Sequence, residues 1–87
     1  CAKCHSGPLF TDKKIHDTDT RGPYDSNGRF ITPTLVEVWR TAPYLHDGRA
    51  VTIQEVLTKY NKRNRHGVTK HLTPQQIEDL AEYVLSL

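Results

Sequence analysis

The chain opens on Cys1-Ala2-Lys3-Cys4-His5, the first half of "CAKCHSGPLF" at residues 1–10. Two thiols at this spacing lie about one helical turn apart and can reach the same edge of one flat group. The next residue, His5, projects an imidazole from the same turn. C-x-x-C-H is the attachment signature of a c-type haem: the cysteines form thioethers and the histidine binds iron. Other readings compete. A redox disulfide between Cys1 and Cys4 belongs with a βαβ pattern, which this sequence lacks. A structural zinc site needs four ligands, and no second cysteine pair exists. Chance is the third alternative. The expectation is one haem c, covalent through Cys1 and Cys4, with His5 as a metal ligand.

A haem also answers a problem of composition. The 87 residues are 36% hydrophobic, and a core alone rarely stabilises chains below about 80 residues by more than a few kcal/mol. A large apolar disc gives short helices something to pack on. The net charge of +2 excludes little. No apolar run approaches the roughly 18 residues of a membrane span. The chain starts without Met, which suggests a mature or excised piece of a longer protein. Haem attachment occurs outside the cytoplasm, so the expected location is the periplasm or the cell surface.

Residues 6–30 read as one long loop, with turns at "RGP" and "SNG". Thr32 as N-cap and Pro33 at the first helical position predict a short helix over "TPTLVEVWR", 32–40. "TAPYLHDGRA", 41–50, is a loop in which Gly48 is expected at positive φ. "TIQEVLTKYN", 52–61, reads as a second helix with a Thr52/Glu55 capping box. A basic connection follows. Thr73, Pro74 and Gln76 then open the clearest helix, with Ile77, Leu80, Ala81, Val84 and Leu85 on one face. No strand alternation is visible. The expected fold is all-α, a single small cytochrome-c-like domain over 1–87 with long loops around the haem.

"TPTLVEVWRTAPYLHDGRAVTIQEVL", 32–57, together with C-A-K-C-H and "LTPQQIEDLAEYVLSL", resembles the C-terminal haem domain of dihaem cytochrome c peroxidases. The relatives include haem rubber oxygenases and methylamine-dehydrogenase-maturation enzymes. The resemblance implies a one-haem domain that passes electrons to a second haem, which lies outside this chain. It also implies a distal Met, yet the chain has none. Losing a Met ligand lowers the reduction potential. Candidate distal ligands are His66, Tyr60, His71 and His16. Tyr60 falls near the family Met, but it also extends an apolar face. His66 in "RHGVTKHL" is similar to a histidine of the rubber oxygenases. His71 and His16 read more simply as surface residues. His66 is the choice, with Tyr60 as the alternative.

Pro43 and Tyr44 are expected to line the haem wall. His46 is expected on a propionate or pinning its loop, and Arg49 could pair with a propionate through its guanidinium fork. Leu35 and Trp39 share a helical face and read as core. Asp12, Asp17, Asp19 and Asp25 raise calcium, but their spacing matches no EF-hand loop. Lys59, Lys62, Arg63, Arg65 and Lys70 form a basic patch that could steer an acidic redox partner protein. Nucleic acid is not expected. The leading function is an electron-transfer module with His/His ligation, not an enzyme on its own. The alternatives are a haem subunit of a peroxidase- or oxygenase-like enzyme, and a ligand-sensing domain.

Overall fold

The computed structural model describes residues 1–87. In chain order the elements are strand β1 (Ile15–Asp17), strand β2 (Arg29–Ile31), a 3₁₀ turn at Val38–Arg40, helix α1 (Ile53–Leu57) and helix α2 (Pro74–Leu85). The expectation of an all-α domain is overturned. Helix is confined to α1, α2 and one short turn, and β1 and β2 form a two-stranded antiparallel sheet. The register pairs Ile15 with Ile31, His16 with Phe30 and Asp17 with Arg29. Three-residue strands are too short to show alternation in sequence. The pairing comes instead from the flanks. Thr11 Oγ1 donates to the Thr32 carbonyl at 2.6 Å, and the Thr32 amide donates to the Lys14 carbonyl at 2.9 Å.

Asp12 braces the entry to β1. Its carboxylate accepts from the Lys14 amide at 2.9 Å and contacts His16 Nε2 at 2.7 Å. The Lys14 amide, with His16 behind it, holds the Asp12 carboxyl down to about 2 from its ordinary 3.8. The link between strands is stitched by side chains. Asp17 Oδ1 accepts from the Asp19 amide, Asp25 Oδ2 from the Gly22 amide, and Asn27 Oδ1 from the Arg29 amide. The Asx turns at Asp17 and Asn27, with the reverse bond from Gly22 to Asp25, replace missing backbone pairing.

The helix expected over 32–40 shrinks to the 3₁₀ turn. Thr32 is spent on the hairpin, and Thr34 Oγ1 donates to the Leu9 carbonyl while accepting from the Val36 amide at 3.1 Å. Glu37 sits in the left-handed region at φ 58°, which stops a helix from forming through it. Val38 still turns inward, while Trp39, read as core, is 58% exposed. Leu35 packs on the core's edge.

α1 also ends early, at Leu57. Thr58 bends back, its hydroxyl donating to the Gln54 carbonyl at 2.7 Å. The Thr52 hydroxyl accepts from the Glu55 amide, but the Glu55 carboxylate takes the Val51 amide, so the expected box is half formed. α2 matches its sequence signals. Thr73 and Gln76 cap each other reciprocally, with Pro74 in the first turn. Ile77 and Ala81 then seat against Val38, Ile53 and Leu57. Gly48 has φ +72°, as expected, and closes a loop in which Tyr44 and Ala50 bridge through their backbones.

Two outcomes are expected. Thr73→Ala removes one half of the α2 box and lowers the unfolding free energy by about 1 kcal/mol, read from urea unfolding. Asp12 is depressed in the folded state, so its contribution is present above its ordinary value and disappears as pH falls from about 4 to about 2. The urea-midpoint difference between wild type and Asp12→Asn therefore shrinks over that window. A constant difference would contradict it.

Candidate haem site

The amides of Cys4 and His5 both bond to the Cys1 carbonyl, at 3.1 and 2.8 Å, which winds residues 1–5 into a single turn. Cys1 is exposed, Cys4 is half-buried, and both are free thiols, so no disulfide consumes them. The chain then folds back on itself. Gly7 and Phe10 both adopt positive φ, and the Phe10 and Thr11 amides bond to Gly7 and Ser6. This turn aims the Phe10 carbonyl at His5 Nδ1, 2.9 Å away. A carbonyl only accepts, so Nδ1 carries the proton and Nε2 is left as the metal-binding nitrogen.

The loop 61–70 closes onto this turn. Gly67, at φ +93°, lies against Cys1: a Cβ at position 67 would meet Cys1 N and Sγ, each at 3.6 Å. His66 precedes it. Its Nδ1 is buried and has no hydrogen-bond partner. Burial pushes the His66 imidazole down to about 4, and the neighbouring His5 adds to the effect. It is therefore a neutral base at pH 7, the form in which histidine ligates metals. A buried, unpartnered imidazole nitrogen calls for an explanation. It lies in the loop whose Gly67 packs against Cys1, so His66 and His5 could together hold a metal there.

The other candidates are placed differently. Tyr60 is half-buried, with Lys59 Nζ 5.2 Å and Arg49 Cζ 5.9 Å from its ring centre. His71 is exposed. His16 lies on β1 with its donor atom, Asp12's carboxylate and Cys4's sulfur mutually within 4.8 Å. That neighbourhood was hidden in the sequence because it depends on the hairpin. His46 stacks on Phe30 at 3.8 Å and bonds through Nε2 to Asp25 at 2.7 Å. Arg49 is forked onto Asp47, its Nε and Nη2 lying 2.8 and 2.6 Å from Oδ2. Both side chains thus have carboxylate partners within the chain. Tyr44 is half-buried at the core's edge and Pro43 is exposed.

Asp12, Asp17, Asp19 and Asp25 engage four separate partners, His16, Arg65, Arg63 and His46, and offer no shared oxygen cage for calcium. The same pairs divide the basic patch. Arg63 and Arg65 are tied to the hairpin, whereas Lys59, Lys62 and Lys70 are exposed and form no ion pair.

Sequence reasoning did not single out Asn61, which is buried at the base of the His66 loop. Its Oδ1 accepts from the His66 amide at 2.9 Å, and its Nδ2 donates to the Gly67 carbonyl and to Thr69 Oγ1. A polar residue at the end of an apolar helical run was the one available signal.

Residues 23–66, half of the chain, match the family described as RoxA-like, cytochrome c-like. Hydrazine synthase subunit gamma of Kuenenia stuttgartiensis is 39% identical over 59 residues, covering 67% of this chain and 17% of that protein. Cytochrome-c peroxidase IdrP1 of Pseudomonas sp. (strain SCT) is 26% identical over 137 residues, covering 100% of this chain and 36% of its own length. The methylamine utilization protein MauG of Methylorubrum extorquens is 33% identical over 75 residues, covering 71% and 21%. The chain thus spans well under half the length of these relatives. No solved structure gives a significant match. The chain carries covalently bound haem c. It belongs to the RoxA-like, cytochrome c-like family, within the dihaem cytochrome c peroxidase superfamily.

Proposed function

We propose that residues 1–87 form one electron-transfer domain, with haem tethered through Cys1 and Cys4 and the iron held between His5 and His66. When bound, the haem supplies a one-electron ferric/ferrous couple. The chain's own residues do the rest. Phe10 fixes the His5 tautomer, and the loop 61–70 brings the His66 imidazole up to the turn that bears Cys1, where it would serve as the second iron ligand. The observation that carries this reading is the buried His66 Nδ1, unpartnered beside His5 and Cys1.

Two imidazoles close the iron to substrates, which favours electron transfer over peroxide chemistry or ligand sensing. The relatives include cytochrome-c peroxidases. A peroxidase role for this chain would therefore need a second haem site outside it. Bis-imidazole ligation also sets the potential below that of a His/Met haem. We place the protein outside the cytoplasm, where c-type haem attachment occurs. Its partner is a redox protein or domain with an acidic face, which Lys59, Lys62 and Lys70 would attract.

The ferric protein is expected to show a low-spin spectrum and EPR signal. His66→Ala should convert it to high spin and let the ferrous form bind CO, whereas Tyr60→Phe should leave the spectrum unchanged. A low-spin His66→Ala protein would sink the ligand assignment. His66→Met is expected to raise the midpoint potential in a spectroelectrochemical titration.

A further inference from the structure

We infer that Asn61 is the positioning residue for the distal ligand, setting how often His66 leaves the iron. This rests on the His66 reading above. The residue lies five positions before His66, yet its amide group clamps both sides of the His66–Gly67 peptide. Oδ1 holds the His66 N–H at 2.9 Å, and Nδ2 holds the Gly67 carbonyl at 2.8 Å. With both ends bonded to one rigid amide, the segment bearing the imidazole cannot swing without breaking two hydrogen bonds together.

The clamp is itself anchored in the core. Asn61 Nδ2 also donates to Thr69 Oγ1 at 2.9 Å, and Thr69 Oγ1 donates to the Leu57 carbonyl at 2.8 Å. Leu57 is the last residue of α1, and its carbonyl has no partner within the helix. Thr69 and Asn61 are 7% and 6% exposed, so water competes little for these bonds. Every polar atom of the Asn61 side chain is used, the condition under which a buried network rigidifies its surroundings. Asn64 secures the far side, its Oδ1 accepting from the Thr69 and Lys70 amides.

Another tether to the same loop is weaker. Arg63 and Arg65 pair with Asp19 and Asp17 across the hairpin, but their side chains are 72% and 50% exposed. Exposed pairs are screened by salt and contribute little. The inner clamp therefore carries the alignment.

The test uses the haem-loaded protein and measures CO association with the ferrous form, where dissociation of His66 limits the rate. Asn61→Ala is expected to raise that rate about tenfold or more, the scale of the two buried hydrogen bonds it removes from the segment. A high-spin fraction should appear in its ferric spectrum. Thr69→Val leaves Asn61 on His66 and Gly67, and should raise the rate only about threefold. It also gives a reading if Asn61→Ala yields no holoprotein. Leu80→Ala loosens the core packing of α2 without removing any hydrogen bond of the clamp, and should lower the melting temperature while leaving the CO rate near wild type. Equal acceleration in Leu80→Ala would make the effect general destabilisation and overturn the inference. So would rates within twofold of wild type in both Asn61→Ala and Thr69→Val, when His66→Ala does change the spectrum. An unchanged spectrum in His66→Ala would instead remove the ligand reading beneath it.

Discussion

Six apolar side chains are buried in this chain, and two of them are alanines. That shortage governs the rest of the structure. Burial on this scale falls far short of the conformational entropy lost in ordering 87 residues. Large apolar residues such as Leu9, Val36, Val51 and Val68 remain exposed. A covalently attached haem suits such a chain, because it brings a broad apolar face without adding residues. The thioethers join that face to the chain's first turn.

Loops that have no core beneath them are held by polar side chains. Of the 33 hydrogen bonds between backbone groups, only 11 lie within helices or strands. Side-chain bonds stitch the remainder. Asp17, Asp25 and Asn27 shape the hairpin connection, while Asn61, Asn64 and Thr69 shape the loop that bears His66. Each supplies a local partner for a backbone group that would otherwise be unpaired. The wealth of Asp, Asn and Thr in these stretches looks like loop composition, yet it does the job of secondary structure.

This explains what could be read beforehand. α2 was legible because cap, proline and apolar stripe all lie within one segment, and the local signals agree. The turn bearing Cys1, Cys4 and His5 was legible because its chemistry is fixed by spacing. The helix over 32–40 was overread. Pro33 and Thr32 are good start signals, but Thr32 and Thr34 are claimed by Lys14 and Leu9 from earlier in the chain. The sheet was invisible for the same reason, since Ile15 meets Ile31 only after a long loop closes. His66 could be proposed from resemblance, but its burial and its contact with the first turn are tertiary facts. Asn61 escaped notice because a buried asparagine reads in sequence like any polar helix-end residue.

The two histidines are fixed by different means, and the difference has consequences. His5 is held by its own neighbourhood: the turn from Gly7 to Phe10 places one carbonyl on Nδ1. That arrangement needs little from the remainder of the fold. His66 depends on a chain of bonds running back through Asn61 and Thr69 to the end of α1. Anything that breaks these bonds is therefore transmitted to His66 and hardly at all to His5. With His5 and His66 as the ligands proposed above, rigid anchoring of both would suit electron transfer, since the geometry would change little between oxidation states. Asymmetric anchoring makes the His66 loop the natural place for that rigidity to be relaxed. The exposed Lys62 and Lys70 belong to this same distal loop. A partner docking on them would press on the segment that bears His66.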